Sequence, residues 1–271
     1  MWNDSLAARL RKLTVFLPVI YAALTGFTLA QLAQGLPFQV WLVILCPLVG
    51  FGFCLVHAVE RLGLQRAVFF LGLTLVVSLF FESLGVATGW IYGPYHYMGN
   101  RLGPLFLGLV PYLVPLTWFV MLYPSYVIAE RCTPLHWGGK RRGLVIAALG
   151  GLAMVAWDLA LDPLMAARGH WVWETPGAYF GVPLQNFWGW WLTAFAILML
   201  YLRIRGDWAQ GEEMGMLFFD RLVVLSYLVT GLGSAGEAWL HGLSGPALTG
   251  GAGLLLWFVL GWRERRATVT L

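Results

Sequence analysis

Three carboxylates stand in this chain where carboxylates are costly. Asp158 and Asp162 lie in "AWDLALDPLM" and Glu82 in "SLFFESLG", each inside or at the end of an otherwise apolar run. An acid in hydrocarbon is by default a candidate for function. Asp158 and Asp162 are four residues apart and share a helix face. Pro163 follows at once and is expected to end that helix, because the residue before proline is pushed out of the helical region. The pair would then occupy a last turn, where low dielectric, a neighbouring carboxylate and the negative helix end all oppose charge. One of the two is expected to hold a proton at neutral pH. A proton-bearing acid in an apolar site is what general acid catalysis on a hydrocarbon requires. The bland alternative is two interfacial aspartates solvated by headgroups and water.

Glu82 sits about 15 residues into its run, roughly 22 Å of helix rise from the start, among Phe80, Phe81 and Leu84. Its alternatives are a functional acid or a structural hydrogen bond to a neighbouring helix. Tyr92, Tyr95, His96 and Tyr97, with Trp171, Trp173, Glu174 and Tyr179, form two aromatic clusters. Singly, each tyrosine or tryptophan fits the belt found at any membrane interface. Together they offer electron-rich faces to a cationic species. Asn186, at the start of a later apolar run, is placed to orient water or a carboxylate.

These residues are carried by eight apolar runs: Leu13–Ala33, Phe38–Ala58, Ala67–Val86, Gly103–Ala129, Gly143–Leu161, Phe187–Leu202, Leu222–Gly236 and Pro246–Trp262. Most reach the roughly 20 residues that a spanning helix needs. The 271 residues are 59% hydrophobic and 11% charged, which excludes a soluble globular domain and leaves no room for one beside the spans. The fold expected is all-α, a polytopic helix bundle occupying 1–271 as a single membrane domain. The net charge of +4 is no nucleic-acid signal. Fifteen of the 17 Lys and Arg fall on one side of alternating spans, from Arg9, Arg11 and Lys12 through Arg131 and Arg142 to Arg263, Arg265 and Arg266. Only Arg101 and Arg168 fall on the other. By the positive-inside rule both termini are cytoplasmic, which implies a multi-pass protein of the cell's inner membrane. The first run could pass for a secretory signal, but it is long and seven more follow, so an uncleaved helix is expected.

The inner connections, including Arg203–Asp220, are basic or mixed. The outer ones, Thr88–Leu102, Asp162–Asn186 and Glu237–Gly245, gather the aromatics, His96, His170, His241 and the turn-forming Gly and Pro. The polar business of the protein is expected near the outer leaflet. The fourth run holds Pro111, Pro115 and Pro124, read as a bent helix lining a cavity or as excess length taken up by tilt. Cys46, Cys54 and Cys132 show neither disulfide nor metal spacing. Gly231-Leu-Gly-Ser-Ala-Gly236 matches a dinucleotide fingerprint but no strand precedes it, so close helix packing explains it better.

Three blocks, "FESLGVATGWIYGPYHY", "LGPLFLGLVPYLVPLTWFVMLYPSY" and "AWDLALDPLMAARGHWVWETPGAYFGVPLQNFWGWW", resemble the membrane-bound carotenoid-biosynthesis family that includes carotenoid 1,2-hydratases. The resemblance is concentrated in residues 81–191; the flanking parts match only as apolar spans. It implies addition of water across the terminal 1,2 double bond of an acyclic carotenoid end group, giving a tertiary alcohol by a cofactor-independent hydro-lyase. Its substrate would be an acyclic or monocyclic carotenoid with a lycopene-like end group. Its partners would be the bilayer and other enzymes of the pathway, with no nucleic acid and no metal. The residues then take roles on physical grounds. Asp158 or Asp162 is the acid, and Glu82 or the second aspartate orients water. Tyr92, Tyr95 and Trp173 shield the cation, with His96, Glu174 and Asn186 as further substrate contacts. Two other classes stay open: an intramembrane prenyltransferase or elongase using a Mg²⁺-bound diphosphate, and a non-enzymatic carotenoid-binding or transport protein.

Overall fold

In the computed structural model, residues 4–37, 39–99, 101–205 and 217–263 are described. Arg265, Arg266 and most of the Arg203–Asp220 connection therefore lie outside the described residues. The described chain forms eight helices: α1 (Asp4–Ala33), α2 (Val40–Leu62), α3 (Leu64–Thr88), α4 (Leu113–Cys132), α5 (Gly139–Ala167), α6 (Leu184–Arg205), α7 (Leu217–Leu240) and α8 (Ser244–Trp262). All eight are long and apolar enough to cross a membrane. The all-α polytopic bundle is thus the observed architecture, and each apolar run corresponds to one helix.

Polar and apolar faces are not what separates inside from outside here. α4 is buried continuously from Trp118 to Arg131 and is the axis of the bundle. Peripheral helices present Phe16, Val19, Val76, Phe80, Leu248 and Leu256 outward, as a lipid-facing surface must. The dinucleotide-like glycines serve packing. A Cβ on Gly231 would lie 2.5 Å from Leu254 of α8, and one on Gly233 would lie 2.9 Å from Thr25 of α1.

Two expectations are corrected. Helix α4 begins at Leu113, not near Gly103. The segment before it makes a small antiparallel hairpin, β2 (Leu105–Phe106) with β3 (Val110–Pro111), pairing Leu105 with Pro111. Pro111 therefore belongs to the hairpin and only Pro115 and Pro124 to the helix. Nor does Pro163 end α5, which runs on to Ala167. A proline inside a helix deprives the carbonyl four residues earlier of its donor. Here that carbonyl is Leu159 O, and the Tyr179 hydroxyl donates to it at 3.0 Å. Pro124 is accommodated in the same way, with Cys54 Sγ 3.5 Å from Val120 O. Breaks of this kind persist in membranes where protein groups satisfy the freed carbonyls.

The connections at the end of the bundle expected to be outer, hereafter the outer end, are tied together by a second ribbon. β1 (Tyr95–Tyr97), after α3, pairs antiparallel with β4 (Trp171–Trp173), after α5. The register opposes Tyr95 to Trp173, His96 to Val172 and Tyr97 to Trp171. Because side chains alternate across a strand, the four large aromatics share the inward face. His96 and Val172 share the exposed one.

Candidate active site

Glu82 lies near the outer end of α3, 4% exposed. Its Oε2 accepts the hydroxyls of Tyr95 at 2.5 Å and Tyr97 at 3.0 Å, and its Oε1 accepts the Trp118 indole N–H at 3.0 Å. The period-2 ribbon aims both phenols at one carboxyl, and α4 supplies the indole. Burial raises the phenols of Tyr95 and Tyr97 well above their ordinary range, and the adjacent Glu82 adds to it. Both therefore remain donors. Three donors converging on two oxygens suit a carboxylate, which has only acceptors to offer.

The aspartate pair is provided for differently. Asp158 is fully buried and Asp162 nearly so. Asn186, in the first turn of α6, points its side-chain nitrogen at both: 2.8 Å from Asp158 Oδ2, with a further hydrogen bond to Asp162 Oδ2. Two carboxyl oxygens within reach of one nitrogen cannot be far apart. The buried Oδ1 of Asp158 has no hydrogen-bond partner among the described protein groups. Since α5 continues past Pro163, the pair sits more than a turn inside the helix. The negative helix end, which acts within its last turn, therefore contributes less than a helix ending at Pro163 would allow.

Between these acids lies a cavity of about 230 Å³. Glu82 and Asp162 line it, with Tyr92, Tyr95, Tyr97, Trp173 and Asn186; Asp158 does not, and is linked to it through Asn186. Tyr92 is held by two glycines, since a Cβ on Gly85 of α3 or Gly189 of α6 would come within 2.5 Å of its ring. Its hydroxyl bonds Thr193 at 2.8 Å. Tyr95 lies 5.0 Å from Trp173 and 5.6 Å from Tyr97, centroid to centroid. His96 and Glu174 are brought near the site in sequence only: both are exposed and neither lines the cavity. Tyr179 does not line it either and is engaged with α5 and with Thr249 of α8.

Several lining residues were not singled out from the sequence. Trp118 stacks on Trp190 at 4.5 Å, and Trp157 meets Trp190 edge-on at 5.8 Å. The three indoles come from α4, α5 and α6. The Trp157 N–H donates to Ser234 Oγ of α7 at 2.9 Å, and both residues line the cavity. At the outer rim Arg168 pairs with Glu237, Arg101 donates to Arg168 O at 2.8 Å, and His170 lies alongside. Burial lowers the His170 imidazole to about 4, and Arg168 and Arg101 push the same way, so the ring is neutral at pH 7.

Chemically, the site offers a carboxylate with fixed donors, a carboxyl pair that Asn186 bridges and Trp171 also serves, with one oxygen left unpartnered among the described groups, and π faces beside them. None of the three acids forms an ion pair with a described Lys, Arg or His.

Comparison with known proteins gives two findings. A model of the carotenoid biosynthesis protein family matches residues 39–256. The bisanhydrobacterioruberin hydratase of Haloarcula japonica is 36% identical over 153 residues, which are 53% of this chain and 50% of that protein. The chain thus spans about half the length of the curated relative it matches. No solved structure matches the chain.

Proposed function

Since this chain belongs to the carotenoid biosynthesis protein family, we propose that it is a carotenoid hydratase acting on the terminal 1,2 double bond of an acyclic end group. The observation that carries the reading is the cavity, which two unlike acid centres line together with aromatic side chains. A trisubstituted alkene has no polar handle. Catalysis must supply a proton, shield a cation and place one water.

Asp162, which faces the cavity, protonates the less substituted alkene carbon, with Asp158 sharing the proton. The buried Asp158 Oδ1 with no partner leaves that pair in want of a proton, since a protonated carboxyl supplies the missing donor. The resulting tertiary cation sits against Trp118, Trp157, Trp190 and Tyr95, whose ring faces attract positive charge. Glu82, held as a carboxylate by its three donors, orients the attacking water and takes its proton. The C–O bond forms as that O–H bond breaks. Return of the proton to the aspartate pair completes a redox-neutral cycle that needs no cofactor. The end group reaches this chamber from the bilayer, and water from the outer rim.

The proposed orientation puts the site in the outer half of the cytoplasmic membrane. A prenyltransferase would want several free cations for a diphosphate on that side, and of the two expected there Arg168 is paired with Glu237.

The test is expression in a lycopene-producing bacterium, followed by mass analysis of the pigments. The expected result is a gain of one or two waters that Asp162→Asn removes. Unchanged pigment at good membrane levels of protein rejects the reading. In isolated membranes, hydration should continue after EDTA treatment. Loss that Mg²⁺ restores, with consumption of an isoprenoid diphosphate, would move the protein to the transferase class.

A further inference from the structure

We infer that the seam between α1 and the α2–α7 groove is the binding track for the rest of the polyene, and that Thr25, Thr28 and Leu29 of α1 determine which chains enter. This rests on the proposed substrate class. A C40 polyene is about as long as the roughly 30 Å hydrocarbon core. The cavity, at about 230 Å³, is smaller than the roughly 300–1,000 Å³ pockets that enclose drug-sized ligands. An end group fits and the remaining chain must run out of the cavity along one of its sides.

α1 is the wall with lipid behind it. It packs principally against α2 and α7. Tyr21, Thr25, Thr28 and Leu29 line the cavity, while Phe16, Val19, Ile20 and Phe27 are exposed. Its attachment is uneven along its length. In its inner half Thr14 hydrogen-bonds Glu60 of α2, and at mid-helix the Tyr21 hydroxyl meets Thr230 of α7 at 2.9 Å. Further out, the hydroxyls of Thr25 and Thr28 donate to carbonyls of α1 itself, Tyr21 O and Leu24 O, each at 2.9 Å. Among the described residues, the one polar contact to α2 at this level is that of Thr28 with the Cys46 thiol. Contact with α7 there is close but apolar: a Cβ on Gly233 would lie 2.9 Å from Thr25 Cγ2, and one on Gly236 would lie 3.1 Å from Leu29 Cδ2. Parting α1 from α7 at this level therefore breaks van der Waals contact alone, which an apolar chain replaces as lipid tails do. The inner half stays pinned.

A disulfide across the seam tests this. In Thr25→Cys/Gly233→Cys the side chains would meet within the roughly 3.5–4.5 Å Cβ separation that a disulfide spans. The full chain is placed in liposomes, and lycopene uptake is read as quenching of tryptophan fluorescence alongside hydration. For each variant the oxidised form is compared with its own reduced form. Single-cysteine variants account for Cys46, Cys54 and Cys132. Oxidation should slow quenching by an order of magnitude, and reduction should restore it. Leu17→Cys/Gly52→Cys, joining the pinned half where the gap is wider, should be insensitive. Uptake at an unchanged rate in the cross-linked outer pair overturns the inference. If that disulfide does not form, Leu29→Trp and Leu29→Ala carry the test: they should slow and ease uptake respectively, and equal rates in both would reject the track. Because quenching needs no chemistry, oxidant-sensitive uptake without added water would reject the hydratase while the track stands.

Discussion

The bundle buries polar groups at two levels, and they are built on opposite plans. In the inner half, buried acids are matched with guanidiniums. Arg61 of α2 reaches Glu130 of α4 at 2.7 Å and Asp220 of α7 at 2.9 Å. Arg142 and Arg131 approach the same two acids at 3.9 Å, and His57 bonds the Tyr123 hydroxyl at 2.7 Å. None of these groups lines the cavity. In the outer half Glu82, Asp158 and Asp162 receive only neutral donors and border open space. An acid neutralised by a guanidinium has its charge settled and can clamp helices. An acid served by amides, phenols and indoles keeps a proton equilibrium that a substrate can use. Burial is the same in both; the kind of partner differs.

That contrast first depends on which half is outer. Reporter fusions after Arg142 and after Gly245 should report opposite sides, an all-or-none outcome. The same side for both would dissolve the eight-span topology.

Asp162→Asn and Asp158→Asn should each lower hydration per protein molecule by about 10²–10⁴-fold or more, as for loss of a general acid, with membrane levels near normal. Arg61→Ala should do the reverse. Leaving Glu130 and Asp220 without their main partner costs about 3–5 kcal/mol where a buried pair is broken. The expected readout is loss of folded protein, with turnover retained in what remains. Measuring both quantities for all three variants breaks the comparison if the patterns coincide.

Glu82→Gln should reduce turnover less than removal of the acid pair, because the cation can still form and only its capture is slowed. Tyr97→Phe, which removes the longer of the two phenol contacts, should reduce it less again. If Glu82→Gln abolishes hydration while both aspartate variants retain it, the acid is on α3 and the roles exchange.

The smallest effect concerns pH. His170 binds its proton less readily folded than its ordinary 6.5, near 4. Between those values the unfolded chain takes up more protons, so stability falls as pH drops through that window. His170→Gln should lessen the fall in thermal midpoint between pH 6.5 and 4 and leave pH 7 to 8 untouched.

Sequence alone made the helices legible because hydrocarbon forbids charge, and charge is easily counted. It also exposed the three acids, for the same reason. The ribbon was hidden in plain letters: "YHY" and "WVW" alternate with period 2, but three residues are too few to outweigh an interfacial reading. Trp118, Trp157 and Trp190 were invisible because tryptophan in a span has no local signature; only the packing of α4, α5 and α6 brings them together. Pro163 misled because the donor that rescues Leu159 O, Tyr179, comes from a loop 20 residues away. Local rules describe the chain's own preference, and a tertiary hydroxyl overrode it.

The ribbon and Asn186 also fix an order of birth. Glu82 can meet the Trp118 indole once α4 has left the ribosome, but the ribbon that aims Tyr95 and Tyr97 at it closes only when β4 follows α5. Asp158 and Asp162 must wait for α6 to bring Asn186, and Tyr92 for the notch at Gly189. During synthesis the carboxyl pair thus enters the membrane ahead of the amide that will hold it. A chain ending after α5 would hold the two acids without the Asn186 amide that both of them accept from.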